Sequence, residues 1–178
     1  MKVVVIKNNL REGIAAVERV AGESANLPIL KNALLETEDN KLKLTATNLE
    51  VAASFYVSGK IIENGKLTAP LSIFSGLITN ISNERIDLEN KKNVLEIKTD
   101  NYRAAIHGVS ADEFPLIPKV KNLDEYIEID VDSVKPERSK VIIASQFSEL
   151  RPELNSIFIG FSLDVLKLAA TDSFRLAE

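Results

Sequence analysis

The 178 residues hold one histidine and no cysteine. His107 has no second histidine with which to share a metal, and thiol catalysis, disulfides and cysteine metal sites are excluded. Carboxylates offer two further candidates. Glu36, Glu38 and Asp39 crowd a predicted hairpin tip, where they would hold a hard cation or stand solvated on the turn. Asp130 and Asp132 flank a predicted strand–helix junction; a carboxylate pair there would suit acid–base work, but helix capping already accounts for the second. The seven glycines are scattered, with no phosphate loop and no nucleophile elbow among them. The stretch best suited to recognition is TDSFRLA at 171–177, where Phe174 and Leu176 flank cationic Arg175. Its residues alone read as a polar turn entering a strand, with one exposed arginine.

Charge is distributed unevenly. The net charge of −4 by itself argues against a nucleic-acid binder. The predicted helices nevertheless carry +1 over 7–21 (Lys7, Arg11 and Arg19 against Glu12 and Glu18), zero over 70–82 and +2 over 133–147 (Lys135, Arg138 and Lys140 against Glu137). A relatively basic helical layer on an acidic protein suits loose, sequence-independent contact with phosphates; ordinary solvated helix faces give the same count.

The elements that must position these groups alternate between strand and helix. VVVI (3–6) reads as a strand. Leu10, Ile14, Val17 and Ala21 then share a helical face, with Asn9 and Glu12 as a capping pair. Strands are predicted at 32–37, 41–47 and 50–57, with Asp39-Asn40 turning the first hairpin. KLTA (66–69) opens a second series, in which Pro70 falls in the first turn of a helix presenting Leu71, Phe74, Ile78 and Ile81. Strands follow at 85–89, 94–99 and 102–108. Residues 109–124 read as a linker and 125–130 as a strand. A helix capped by Asp132 or Ser133 is predicted to run to about Phe147, with Pro136 in its first turn, then strands near 153–161 and 165–170 and the start of another. No apolar run approaches the roughly 20 residues of a membrane helix, and no signal pattern opens the chain, so a soluble cytoplasmic protein is expected.

The chain also resembles itself. At a shift of 124, Pro28, Leu30, Leu42 and Ala53 fall on Pro152, Leu154, Leu166 and Ala177 without a gap. LKLTATNLEVAA (42–53) and LKLAATDSFRLA (166–177) agree at six of twelve positions. The expected organisation is one whole domain, 1–124, and the first part of a second, 125–178, with no third. A weaker echo at offset 53, LEIKTDNYRAA (95–105) against LKLTATNLEVA (42–52), divides each domain into two βαβββ halves. The expected class is α+β, with helices layered against antiparallel sheets.

LPIL (27–30), LKLTATNLEVAA (42–53), EFP (113–115), ASQF (144–147) and ATDSFRLA (170–177) stand in an order and spacing that resembles the bacterial DNA polymerase sliding clamp, the beta subunit of the replicative polymerase III. The resemblance covers the whole chain. It implies the DNA-clamp fold, with three similar domains per monomer and two monomers closed head to tail in a homodimer ring. Helices line the hole and sheets form the outside. It implies a processivity factor without catalysis or cofactor. Its partners would be double-stranded DNA, unread in sequence, and replicative polymerase and clamp-loader subunits that dock through short peptide motifs. Carried over by position, Leu154, Thr171, Phe174, Arg175 and Leu176 would form one wall of the peptide pocket, and Arg11, Lys135, Arg138 and Lys140 would face DNA. Where many members carry Gly-His, this chain has Ser173-Phe174; where many carry Arg-Lys, it has Leu71-Ser72. The expectation is an N-terminal clamp fragment; the alternative is a truncated clamp-fold protein that no longer encircles DNA. A third reading, from another class, is a small metal-dependent enzyme using surface carboxylates, testable by loss of turnover on mutating Glu36 or Asp39.

Overall fold

The computed structural model describes residues 1–22, 27–118, 124, 126–148, 150–162 and 165–178. The chain divides into two compact units, Met1–Lys119 and Val120–Glu178.

In the first unit, β1 (Lys2–Ile6) and α1 (Lys7–Glu18) lead to β2 (Asn32–Glu38), β3 (Lys41–Thr47) and β4 (Ala52–Val57). After β5 (Gly59–Glu63) the series repeats as β6 (Lys66–Pro70), α2 (Leu71–Asn80), β7 (Arg85–Lys91), β8 (Val94–Lys98) and β9 (Arg103–His107). Both βαβββ halves are therefore present. Their strands form two antiparallel sheets, ordered β5-β1-β7-β8-β9 and β4-β3-β2-β6. Each half lends its first strand to the other: β1 pairs with β7, and β6 with β2.

Local chemistry explains the elements. Asp39-Asn40 and Lys92-Asn93 all adopt positive φ, so each pair closes a tight hairpin whose twist suits its strands. Alternation sends Val3 and Val5, Leu42 and Leu44, Ile86 and Leu88, and Leu95 and Ile97 inward. They meet Leu10, Ile14 and Val17 of α1 and Leu71, Phe74 and Ile78 of α2, which pack in the same core. Gly13 lets β4 approach α1 closely, since a Cβ there would stand 2.8 Å from a Val57 methyl.

Several expectations are corrected. Asn9 does not cap α1; the helix starts at Lys7, whose amide donates to the Glu84 carbonyl (2.7 Å), so a tertiary acceptor replaces the side-chain cap. The Lys7 ammonium reaches the Thr79 carbonyl (3.2 Å) and that of Ile81, placing a cation at the C-terminal end of α2. Pro70 ends β6 and caps α2 instead of entering its first turn. The unforeseen β5 arises because the chain leaves one sheet after Val57 and enters the other at Gly59, whose added Cβ would lie 2.7 Å from the Val4 carbonyl.

In the second unit, α3 (Val131–Val141) precedes β10 (Phe158–Phe161), β11 (Leu166–Thr171) and β12 (Leu176–Ala177). Val141, Ala144, Leu168 and Ala170 form a small core. Of the expected linker, 119–123 lie outside the described residues, as does Glu125 of the expected strand; Tyr126–Asp130 form no strand, since no described strand pairs with them as β5 and β7 pair with β1. The cap of α3 is Asp130, not Asp132 or Ser133: its carboxylate accepts from the Ser133 amide (2.9 Å) and hydroxyl (2.5 Å). Pro136 lies inside α3, which ends at Val141 and passes into a 3₁₀ turn, Ile142–Ala144, well short of Phe147. A second 3₁₀ turn, Pro152–Asn155, takes the start of the strand expected at 153–161, as Pro28–Lys31 precedes β2.

The offset of 124 persists in the backbone. Leu27 (φ −131°, ψ 79°) matches Arg151 (φ −135°, ψ 74°). The Gly22 amide donates to Leu30 carbonyl at 3.1 Å, as Gln146 does to Leu154 at 3.2 Å. On α3, Val134 and Val141 take the places of Leu10 and Val17, but exposed Glu137 and Arg138 take those of buried Gly13 and Ile14.

The seam between the two sheets of the first unit runs through Thr68, which is fully buried. Its hydroxyl donates to the Val109 carbonyl (2.8 Å) and accepts from the Val109 amide (3.0 Å) and the Asn32 side-chain amide (3.1 Å). Thr68→Val keeps the shape and strands these donors, so it should destabilise the chain by about 1–3 kcal/mol, read as a lower urea midpoint at unchanged slope. An unchanged midpoint contradicts this role.

Candidate functional site

Thr171, Phe174, Arg175 and Leu176 of the expected peptide wall meet around one turn between β11 and β12, while Leu154 lies in the separate turn Pro152–Asn155. Thr171 ends β11; its hydroxyl donates to the Arg175 carbonyl (2.6 Å) and accepts from the Ser173 amide (3.1 Å). Asp172 is buried and central. Its Oδ1 accepts from the amides of Phe174 (2.9 Å) and Arg175 (2.7 Å), and its Oδ2 accepts from Nε of Arg175 (2.9 Å) and pairs with Nη2 at 2.8 Å. Ser173 sits at φ 76°, a left-handed conformation that ordinarily favours glycine. The turn so formed leaves Phe174 93% and Leu176 69% exposed. Arg151, at the start of the Pro152–Asn155 turn, donates to the Ser173 hydroxyl at 3.1 Å and so links the two turns; Leu154, three residues on, is half-buried.

The first unit holds the same turn at offset 124. Thr47 hydroxyl donates to the Val51 carbonyl (2.8 Å) and accepts from the Leu49 amide (3.0 Å). Asn48 Oδ1 accepts from the amides of Glu50 (3.0 Å) and Val51 (2.8 Å), and Leu49 stands at φ 78°. What differs is the surface. Glu50 stands where the second unit has Phe174, and Val51 where it has Arg175. Sequence reasoning passed over Asp172 and Arg151; Asn48 opposite Asp172 in the repeat is the signal that marks an Asx turn.

The four basic residues fall on two helices. Arg11, on α1, and Lys135, on α3, occupy equivalent exposed positions. Arg138 and Lys140 are exposed as well, and Lys140 pairs with Glu137 at 2.7 Å. The acidic hairpin tip is partly neutralised: Lys43 Nζ lies 3.2 Å from Glu36 and 2.7 Å from Glu38, whose hydrogen bond most strongly raises the lysine pKa. His107 is exposed on β9. Among the described residues, no group of three or more His, Cys, Asp or Glu is placed to hold a metal, and no helix is long and apolar enough to cross a membrane.

Residues 1–118 match the family described as DNA polymerase III beta subunit, N-terminal domain. The chain belongs to that family. Beta sliding clamps of Vibrio cholerae and Chlamydia muridarum are 28% and 26% identical to it, over 99% and 100% of its length and 49% of theirs. The chain thus spans about half the length of the curated relatives it matches. The crystal structure of the Thermotoga maritima DNA polymerase III beta subunit is similar at TM-score 0.84 and 26% identity, covering 98% of this chain and 48% of that one. The Pseudomonas aeruginosa subunit shares the fold at TM-score 0.90 and 24% identity, covering 99% and 48%. The α+β architecture with helices against antiparallel sheets is thereby that of the beta clamps.

The turn makes a pH prediction. The Arg175 amide, then its guanidinium, then the Phe174 amide hold the Asp172 carboxyl at about 2, below the usual 3.8. A depressed folded-state pKa stabilises above the unfolded value and stops doing so as pH falls through the folded one. The Asp172–Arg175 ion pair should be intact above pH 3.8 and weaken toward pH 2. Carboxyl-carbon NMR of Asp172 should titrate with a midpoint near 2, with the Arg175 Nε–H exchanging faster over the same range; a midpoint at 3.8 contradicts the arrangement.

Proposed function

We propose that this chain serves in a DNA replication processivity factor, a sliding clamp that two protomers close as a ring around duplex DNA to tether the replicative polymerase. On this reading 1–124 is the first clamp domain and 125–178 the opening part of the second. The protein works in the cytoplasm as a non-catalytic accessory subunit without a cofactor. Membership of the beta-subunit family supports the reading, and one observation carries its docking half: the turn at 171–175 repeats that at 47–51 bond for bond, yet exposes Phe174 and Leu176 beside Arg175.

Leu154, Thr171, Phe174, Arg175 and Leu176 form a wall for a short peptide, brought by polymerase or clamp-loader subunits, with leucine or phenylalanine anchors. Arg11 and Lys135, repeated on the outward faces of two helices, contact phosphates without reading sequence, and Arg138 and Lys140 add positive charge on α3.

A second reading is a clamp-fold protein that docks peptides without encircling DNA. The charged Glu137 and Arg138 favour it, since they stand where the first unit buries Gly13 and Ile14 in its core.

Two measurements test the reading. A fluorescent peptide with leucine and phenylalanine anchors should bind the chain, and Phe174→Ala or Arg175→Ala should each weaken it about fivefold or more. No binding at high micromolar protein sinks the docking wall. Duplex DNA should bind with a salt dependence that the pair Arg11→Glu and Lys135→Glu flattens by about two units of slope. An unchanged slope removes those residues from the DNA contact.

A further inference from the structure

Asp172 makes two kinds of bond, and the repeat separates them. Its Oδ1 builds the turn through the amides of Phe174 and Arg175. In the first unit Asn48 does the same work with a neutral oxygen, at 3.0 and 2.8 Å. The turn therefore requires an acceptor and not a charge. The second oxygen of Asp172 has a different task. Oδ2 takes both Nε and Nη2 of Arg175, at 2.9 and 2.8 Å. Val51 stands at the arginine's place in the first unit, so the neutral acceptor occurs where no cation is to be held.

We infer that Asp172 is a positioning residue that fixes the Arg175 guanidinium beside Phe174 and Leu176 for peptide docking. This rests on the docking reading above. The Arg175 side chain is 66% exposed and the Asp172 side chain 5%, so the carboxylate is the buried anchor and the guanidinium the presented group. With Nε and Nη2 engaged at one edge of the planar fork, Nη1 is left for a carbonyl or carboxylate of the incoming peptide. A free arginine would lose rotamer freedom on binding; one already ordered loses less. The carboxylate also offsets much of the arginine's charge, so the inferred gain lies in geometry and direction rather than in long-range attraction.

Asn48 supplies the control. Asp172→Asn should keep the turn, because asparagine already builds it once in this chain, while releasing the guanidinium. The full chain is titrated with the fluorescent peptide in four forms: wild type, Asp172→Asn, Arg175→Ala and the double variant. Arg175 Nε–H is followed by NMR. The expected result is about three- to tenfold weaker binding for Asp172→Asn, no further loss when Arg175 is already alanine, and a slowly exchanging Nε–H in wild type that vanishes in Asp172→Asn while the Phe174 and Arg175 amides keep their shifts. Equal weakening in the Arg175→Ala background would mean that Asp172 acts through the turn alone, and unchanged or tighter binding of Asp172→Asn would also overturn the inference. If wild type binds no peptide, the docking reading itself fails, and a persistent Nε–H in Asp172→Asn would still show that this carboxylate does not hold the guanidinium.

Discussion

The first unit depends on an exchange of strands. Its halves each contribute a helix and a three-stranded meander, but the strand that opens each half pairs in the other's sheet. Neither half can then satisfy its backbone alone, because β1 would lose one of its two ladders and β6 the only strand it pairs with. The exchange forces the two helices onto one shared core, where Leu10, Ile14 and Val17 pack with Phe74 and Ile78. It also places demands on single residues. Gly59 must be small where the chain changes sheets, and Thr68 must carry three hydrogen bonds at the seam. This architecture makes the first unit one cooperative body built on long-range contacts.

The turn at 171–175, where docking is proposed, rests on local contacts instead. All of its internal bonds run between residues 171 and 175, and its counterpart's between 47 and 51. A motif this local does not depend on the strand exchange. That explains how the second unit reproduces it bond for bond although Tyr126–Asp130 lack the strand pairing that β1 enjoys and two core positions of α3 are charged. Scaffold and surface are separable in consequence. The same backbone displays Glu50 and Val51 in one unit and Phe174 and Arg175 in the other, so on the proposed reading recognition is set by side chains carried on a repeated loop geometry.

Legibility in the sequence followed the range of the interactions. The period-two pattern at 41–47 and the helical pattern at 71–81 marked buried faces correctly, because burial on one side imprints a period. The offset of 124 aligned the two segments that carry the repeated turn, but not the turn itself. What escaped were features decided by distant partners. The cap of α1 is the Glu84 carbonyl, which no spacing rule around Asn9 reveals. The strand at 59–63 hides behind a crossing at Ser58, and Tyr126–Asp130 of that expected at 125–130 have a strand's composition without a strand partner among the described residues. At the site, Phe174, Arg175 and Leu176 were legible as exposed chemistry, whereas Asp172 was not, since its importance lies in a carboxylate turned inward.

The central claim is that the wall at 151–154 and 171–176 is where a short peptide docks, and that the equivalent turn of the first unit lacks the surface for it. Amide-resolved NMR of the labelled chain during peptide titration tests this most directly. Shift changes concentrated at Arg151, Leu154, Thr171, Phe174, Arg175 and Leu176, with Thr47, Asn48 and Val51 unmoved, are the predicted result. Changes centred on the first-unit turn, or scattered over both units, would contradict it.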